Sequence, residues 1–289
     1  MAEARDHREA TSERISASPG RSRREQLIYQ FHLASYDFAV PYAAGRSVLD
    51  LGCGTGYGTA RLAPRCKSIV GVDVSEQAVS AAAAGFRAPN LQFRTVAPTE
   101  IAPLPFEDSS FDVVLSFQVI EHVADPVGYL TEARRVLVEG GVMIVATPDR
   151  ATRLFRGQRP WNRFHLREYA PLELEALARK VFPTVEMYGM GGPEGLLAPE
   201  LRRTRRLRVA TIPFTFPGSP ERWRQFGLVA STRMRAAVQR SGAAGSEDTE
   251  ASSGGAGRAP GAGDDGADPA GVRIGADVHP SVCIVAVAR

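Results

Sequence analysis

Asp50 and Asp73 flank a turn of nearly bare backbone, Gly52-Cys53-Gly54-Thr55-Gly56, in a chain of 289 residues. Glycine tolerates positive φ and carries no Cβ, so a ligand can lie directly on such a turn where it opens a helix. Asp50 enters the turn from the apolar run Val48-Leu49, and Asp73 closes the next apolar run, Val70-Gly71-Val72. An acid in that second position can grip the two hydroxyls of a ribose.

The pattern alone admits NAD, FAD or S-adenosylmethionine. Two details separate them. The glycines are spaced G-x-G-x-G, which departs from the dinucleotide fingerprint G-x-G-x-x-G. A carboxylate at the mouth of the turn would repel a pyrophosphate, but it suits the ammonium and sulfonium of S-adenosylmethionine. A hydroxyl that accepts a methyl group from that cofactor attacks poorly while it keeps its proton, so a base must stand nearby. His122 and His165 have the right chemistry, and either could instead fasten a loop.

These groups need a regular frame. Apolar runs predict strands at 46–51, 68–73, 91–95, 111–117, 141–147 and 184–190, alternating with helices near 57–64, 75–85, 126–138 and 171–181. Ser75 and Asp125-Pro126 read as helix starts, and Gly140-Gly141 as the stop of the fourth helix. The spacing of Leu27, Ile28, Phe31, Leu33, Tyr36, Phe38 and Val40 predicts an amphipathic helix over 26–42 that ends at Pro41. Residues 281–288 form an apolar strand that needs a sheet to join. Set antiparallel beside 141–147, it would complete seven strands. The fold class is therefore α/β, a Rossmann-like doubly wound sheet with an antiparallel last strand. Four segments follow: a flexible N-terminus at 1–25, a core at 26–190, an insertion at 191–280 and the last core strand at 281–289.

Within the insertion, Arg202, Arg203, Arg205, Arg206, Arg208, Arg222, Arg224, Arg233, Arg235 and Arg240 make a basic stretch, and the Gly/Ala/Ser/Asp-rich 241–271 reads as disordered. The basic stretch has three readings: a solvated face, a cover binding phosphate or carboxylate of the acceptor, or an RNA contact. The net charge of +3 does not by itself point to nucleic acid. Cys53, Cys66 and Cys283 lack metal or disulfide spacing, which fits a reducing compartment. No apolar run approaches the roughly 20 residues needed to cross a bilayer. The expectation is a cytoplasmic protein without a membrane partner.

Leu104-Pro105-Phe106-Glu107-Asp108-Ser109-Ser110-Phe111-Asp112, Glu121-His122-Val123-Ala124-Asp125-Pro126, and Arg135-Val136-Leu137 through Ala146-Thr147-Pro148 carry a further signal. In these motifs the chain resembles the class I S-adenosylmethionine-dependent methyltransferases, specifically a small-molecule group. The resemblance covers roughly 26–190 plus the terminal strand. It implies that Asp50, Gly52, Gly54 and Gly56 surround the methionine part of the cofactor, Asp73 holds the ribose and Val74 packs on the adenine. Phe117 and Gln118 would line the reacting side. Where many relatives carry an acid for the adenine amino group, this chain reads Thr95-Val96-Ala97-Pro98, so Ala97 would contribute its backbone carbonyl, or Thr99 its side chain.

The small-RNA 2′-O-methyltransferases and some quinone-precursor O-methyltransferases hold a divalent cation with E-x-x-E-H. This chain is similar but reads Gln118-x-x-Glu121-His122, with His165 downstream. An amide in place of a carboxylate weakens a hard-cation site. The resemblance therefore places Glu121, His122 and His165 in catalysis with no metal expected, and leaves a weak or softer-ion site as the alternative. The expected function is methyl transfer to an oxygen of a small molecule, a sugar or a secondary metabolite. The alternatives are 2′-O- or N-methylation of an RNA end, and a non-catalytic cofactor-binding protein.

Overall fold

The computed structural model describes residues 23–216, 218–220, 222–223, 271–278 and 280–289. The expectations for 1–22 and for most of 224–271 lie outside the described residues. The chain opens with helix α1 (Arg23–Ala43), then β1 (Ser47–Leu51), α2 (Tyr57–Leu62), β2 (Ser68–Asp73), α3 (Glu76–Gly85), β3 (Leu91–Thr95) and β4 (Phe111–Phe117). It continues through α4 (Pro126–Val136), β5 (Leu137–Pro148), α5 (Arg150–Arg153), α6 (Pro171–Ala178), β6 (Val185–Gly191), α7 (Glu194–Ala210), α8 (Ile212–Thr215), β7 (Arg273–Gly275) and β8 (Cys283–Ala288).

The strands form one sheet in the order β3-β2-β1-β4-β5-β8-β6-β7. The pairs β1–β2, β1–β4, β2–β3 and β4–β5 are parallel, while β8 runs antiparallel between β5 and β6. The order reverses at β1, and ligands of open α/β sheets bind at such a switch point. Both faces of the sheet are covered, which is why β1, β4, β5 and β8 read as almost unbroken apolar runs. One core packs α1, α2 and the start of α7 on one face; the other packs α4 and α6 on the opposite face.

Three expectations need correction. The sheet has eight strands, because Arg273–Gly275 pairs with Gly189–Gly191 at the edge; three residues are too few to read from sequence. Gly140 and Gly141 do not stop α4, which ends at Val136. They fall inside β5, where Leu137 already pairs with Phe111 and the register shifts before Val113–Val142. Gly140 takes φ +70° there, so the glycines serve an irregular strand. Finally, Pro41 lies inside α1 rather than ending it. The Ala44 amide still reaches the Val40 carbonyl at 3.0 Å, and buried Ala39 and Ala43 hold the last turn on the core.

The local signals at the other helices behave as expected. Ser75 Oγ accepts the Ala78 amide at 3.3 Å and Asp125 Oδ1 accepts that of Gly128 at 3.0 Å, so each caps a helix start. Packing of α1 on α2 depends on Gly58, where an added Cβ would fall inside the ring of buried Tyr36. Gly58→Ala should therefore cost about 1–3 kcal/mol of stability, the usual range for overpacking. Urea denaturation beside the wild type checks this, and an unchanged midpoint would show that α1 yields freely.

Candidate active site

The glycine turn leaves β1 and enters α2. Gly52, Gly54 and Gly56 have φ of +81°, +55° and +78°, so a side chain at any of them would be strained. Their surroundings differ. A Cβ at Gly52 would strike Val119, and one at Gly56 would come within 2.6 Å of Ala82, whereas one at Gly54 would meet nothing within 4 Å. The backbone at Gly54 thus faces open space.

Asp50 is buried behind the turn. Its Oδ2 accepts Thr59 Oγ1 at 2.6 Å and Tyr36 Oη at 2.9 Å, while its Oδ1 is buried without a partner. Burial pushes this carboxyl up to about 6, against the two hydrogen bonds, with Asp73 adding repulsion. A buried acceptor oxygen lacking a donor, next to bare backbone, fits a cationic ligand. Asp73, at the end of β2, spans the turn: Oδ2 accepts the Gly54 amide at 3.0 Å and Oδ1 that of Ser75 at 2.8 Å. Val74 beside it is 49% exposed, a large apolar side chain in position to cover a flat ring. Ala97 is also exposed, in the loop after β3, and the Val96 amide ties that loop to the Asp73 carbonyl at 3.1 Å.

Phe117 ends β4 and meets the Tyr36 ring edge-on, centroids 4.9 Å apart, so α1 reaches across the turn. Gln118 sits at φ +59°, a strained backbone for a non-glycine residue, and its amide is held 3.8 Å from Cys283 Sγ on β8. Tyr57, at the start of α2, meets Tyr29 with the rings tilted and centroids 4.9 Å apart, and Tyr57 Oη lies 2.8 Å from His32 Nδ1. Burial lowers His32 to about 4, so the ring is neutral.

The second cluster lies just beyond Val119. Glu121 is buried; Thr147 Oγ1 donates to its Oε2 at 2.9 Å, and Oε1 has no hydrogen-bond partner. His122 Nδ1 lies 2.9 Å from the Phe164 carbonyl oxygen, which can only accept, so Nδ1 carries the hydrogen. His165 Nδ1 lies 2.8 Å from Glu168 Oε1. Burial opposes ionisation of Glu168, but Arg153 and His165 outweigh it and bring the carboxyl down to about 2. Nδ1 of His165 is then also the donor. The nitrogen of each ring not engaged in these contacts is Nε2. The rings meet edge to face, centroids 4.9 Å apart, and one ligand atom from each of Glu121, His122 and His165 lies within 4.8 Å of the others.

Sequence reasoning brought Glu121, His122 and His165 forward, and they do converge. It missed the residues that hold them. Arg153, partly buried, grips fully buried Glu168 through Nε at 2.8 Å and Nη2 at 3.0 Å. Glu168 stands three residues after His165, but only the loop geometry makes them partners. Thr59 and Tyr36 were missed as the supports of Asp50 for the same reason. The Arg153–Glu168 pair has a pH signature. A carboxyl lowered in the folded state stabilises above its unfolded value, and that contribution is lost as pH falls from about 4.5 to about 2. Glu168→Gln should flatten this part of the acid-unfolding curve, removing about 3 kcal/mol of pH dependence. An unaltered acid limb would refute the assignment.

Residues 49–145 match a family described as a methyltransferase domain. The chain is 38% identical over 197 residues to a "probable S-adenosylmethionine-dependent methyltransferase" of Mycolicibacterium smegmatis, covering 68% of this chain and 75% of that protein. A Mycobacterium tuberculosis protein with the same description is 39% identical, over 68% and 70% of the two chains. A ubiquinone biosynthesis O-methyltransferase of Cereibacter sphaeroides is 31% identical over 54% of this chain and 66% of its own. Among solved structures, a Thermotoga maritima S-adenosylmethionine-dependent methyltransferase superposes with a TM-score of 0.52 at 19% identity, over 92% of both chains.

Proposed function

Since the chain belongs to the class I S-adenosylmethionine-dependent methyltransferases, we propose that it methylates an oxygen of a small molecule, a sugar or a secondary metabolite. When bound, S-adenosylmethionine supplies an electrophilic methyl group whose departure needs no further activation by the protein. Asp50 and the glycine turn would hold its methionine part, Asp73 the ribose, and Val74 with the Ala97 loop the adenine. Phe117 and Gln118 would line the cofactor on its reacting side. The chain's remaining task is to align the acceptor, exclude water and take a proton.

The paired imidazoles carry this reading. A neutral nitrogen acceptor already has its lone pair, whereas a hydroxyl needs a base. His165, with Nδ1 tied to Glu168 and Nε2 bare, is built to accept a proton and to be stabilised once charged. The likeness to a ubiquinone biosynthesis O-methyltransferase supports an oxygen acceptor. The cytoplasm, where this cofactor is made and used, is the proposed location. Screening sugar and phenolic acceptors with labelled methyl donor tests the reading; label transferred solely to amines or RNA ends would overturn it.

A second reading is favoured by the unpartnered Glu121 Oε1 beside two bare Nε2 atoms. Glu121, His122 and His165 would then share a cation, a one-carboxylate, two-imidazole set that suits borderline ions better than Mg²⁺. On this reading chelator-treated protein loses more than tenfold in turnover and regains it with Zn²⁺ or Mn²⁺. Full turnover in metal-free protein leaves the base reading alone.

A further inference from the structure

The arginines of α7 fall into two groups. Those on its inner flank are engaged. Arg203 pairs with Glu200 at 2.9 Å, and Arg208 lies 4.2 Å over the Phe155 ring while its carbonyl accepts from Gln158 at 2.9 Å. Leu197 and Leu207 add apolar anchors, the latter against Leu154 and Trp161. This flank bolts α7 to α5, which ends at Arg153, and to the following loop, which carries His165.

The outer flank is the reverse. Arg202, Arg205 and Arg206 are exposed, and among the described residues none of the three has an ion-pair or hydrogen-bond partner. They stand at i, i+3 and i+4, a spacing at which like charges repel along a helix. Among the described residues no acid on this flank relieves them. Together with Val209 and Ala210 they line a shallow groove of about 420 Å³.

Further exposed apolar side chains follow in the chain. Val209 is 53% exposed, Ile212 37% and Trp223 62%, so three of the seven large hydrophobics exposed among the described residues lie in this short stretch. A solvated basic helix has no reason to gather them. Clustered cations with exposed apolar side chains close by in the chain supply the two attractions that hold a peripheral protein on an anionic bilayer, charge and apolar burial.

We propose that the groove face of α7 docks on an anionic phospholipid surface, with Arg202, Arg205 and Arg206 on headgroup phosphates and Val209, joined by Ile212 and Trp223, at the acyl boundary. The expectation of no membrane partner rests on spanning segments alone. No helix among the described residues is long and apolar enough to cross a membrane, and peripheral docking requires none. Because the inner flank holds the His165 loop, docking would set the acceptor side of the protein close to the lipid. This holds whichever acceptor is methylated.

The test is co-sedimentation of the full chain with phosphatidylcholine vesicles, with and without phosphatidylglycerol, at low salt. Binding should appear with the anionic lipid and weaken as salt rises. Each arginine near such a surface contributes about fivefold in partitioning, so Arg202→Gln/Arg205→Gln/Arg206→Gln together should reduce it roughly a hundredfold. Val209→Ser with Ile212→Ser should lower it further. Trp161 is buried, so a blue shift of tryptophan emission on vesicles should vanish in Trp223→Phe. Circular dichroism and calorimetric titration with S-adenosylmethionine should match wild type in every variant. Equal binding to neutral vesicles, an undiminished triple variant, or tighter binding to a short RNA at equal phosphate concentration would each overturn the proposal.

Discussion

Asp50→Asn is expected to weaken S-adenosylmethionine binding by about a hundredfold while making the cofactor-free protein more stable at neutral pH. Both effects come from one buried charge. Oδ2 is satisfied by Thr59 and Tyr36, whereas Oδ1 is left without a donor, so the folded protein keeps an under-solvated carboxylate. Its folded value of about 6 lies above the ordinary 3.8. For a carboxyl raised on folding, the protonated form is favoured in the folded state, so stability falls as pH rises through that interval. The difference corresponds to about 3 kcal/mol above pH 6. Asparagine can still accept from Thr59 and Tyr36 and carries no charge, so the thermal midpoint at pH 7 should rise. Losing a buried charge-assisted contact to the ligand costs about 2–3 kcal/mol, hence the hundredfold. Below pH 6 wild-type affinity should drop about tenfold per unit, since only the ionised form complements the cation. Calorimetry on both proteins from pH 5 to 8, bounds chosen about one unit or more to either side of the transition, reads all three effects. A wild-type affinity independent of pH would remove Asp50 from the site.

His165→Ala should lower turnover on a hydroxyl acceptor by about 10²–10⁴, the span that general bases contribute, with S-adenosylmethionine affinity unchanged. The two clusters make this separation possible. Val119 lies between the glycine turn and Glu121, and no hydrogen bond links His165 to Asp50 or Asp73. His122→Ala is the informative companion. His122 is exposed and hydrogen-bonded to the Phe164 carbonyl, so on the base reading its loss should cost less than that of buried His165. On the cation reading both substitutions should be comparably damaging. Single-turnover transfer of labelled methyl groups, with calorimetry as the binding control, distinguishes the two. Turnover within threefold of wild type in His165→Ala would leave the ring a loop fastener.

Much of the frame was legible because its signals are local. The glycine turn, the acid ending β2, the Ser75 and Asp125 caps and the apolar runs each depend on neighbours within a few residues. The antiparallel seat of Cys283–Ala288 beside β5 was also readable, since an apolar strand must find a sheet and only one place was left. Long-range pairings were not. Arg153–Glu168, Tyr36–Asp50 and Thr147–Glu121 join residues whose approach depends on loops that composition does not encode. The glycines at 140 and 141 misled, because a helix stop and an irregular strand use the same residue.

The position of β8 has a consequence for assembly. Met143 on β5 waits for Ala288, and Val185 on β6 waits for the same residue, so neither joins the sheet's far half until the last-made strand slots between them. That strand is a keystone. Ribosome-bound chains short of residue 283 should carry a finished cofactor half and an unassembled acceptor half, a division that pulse proteolysis during synthesis would make visible.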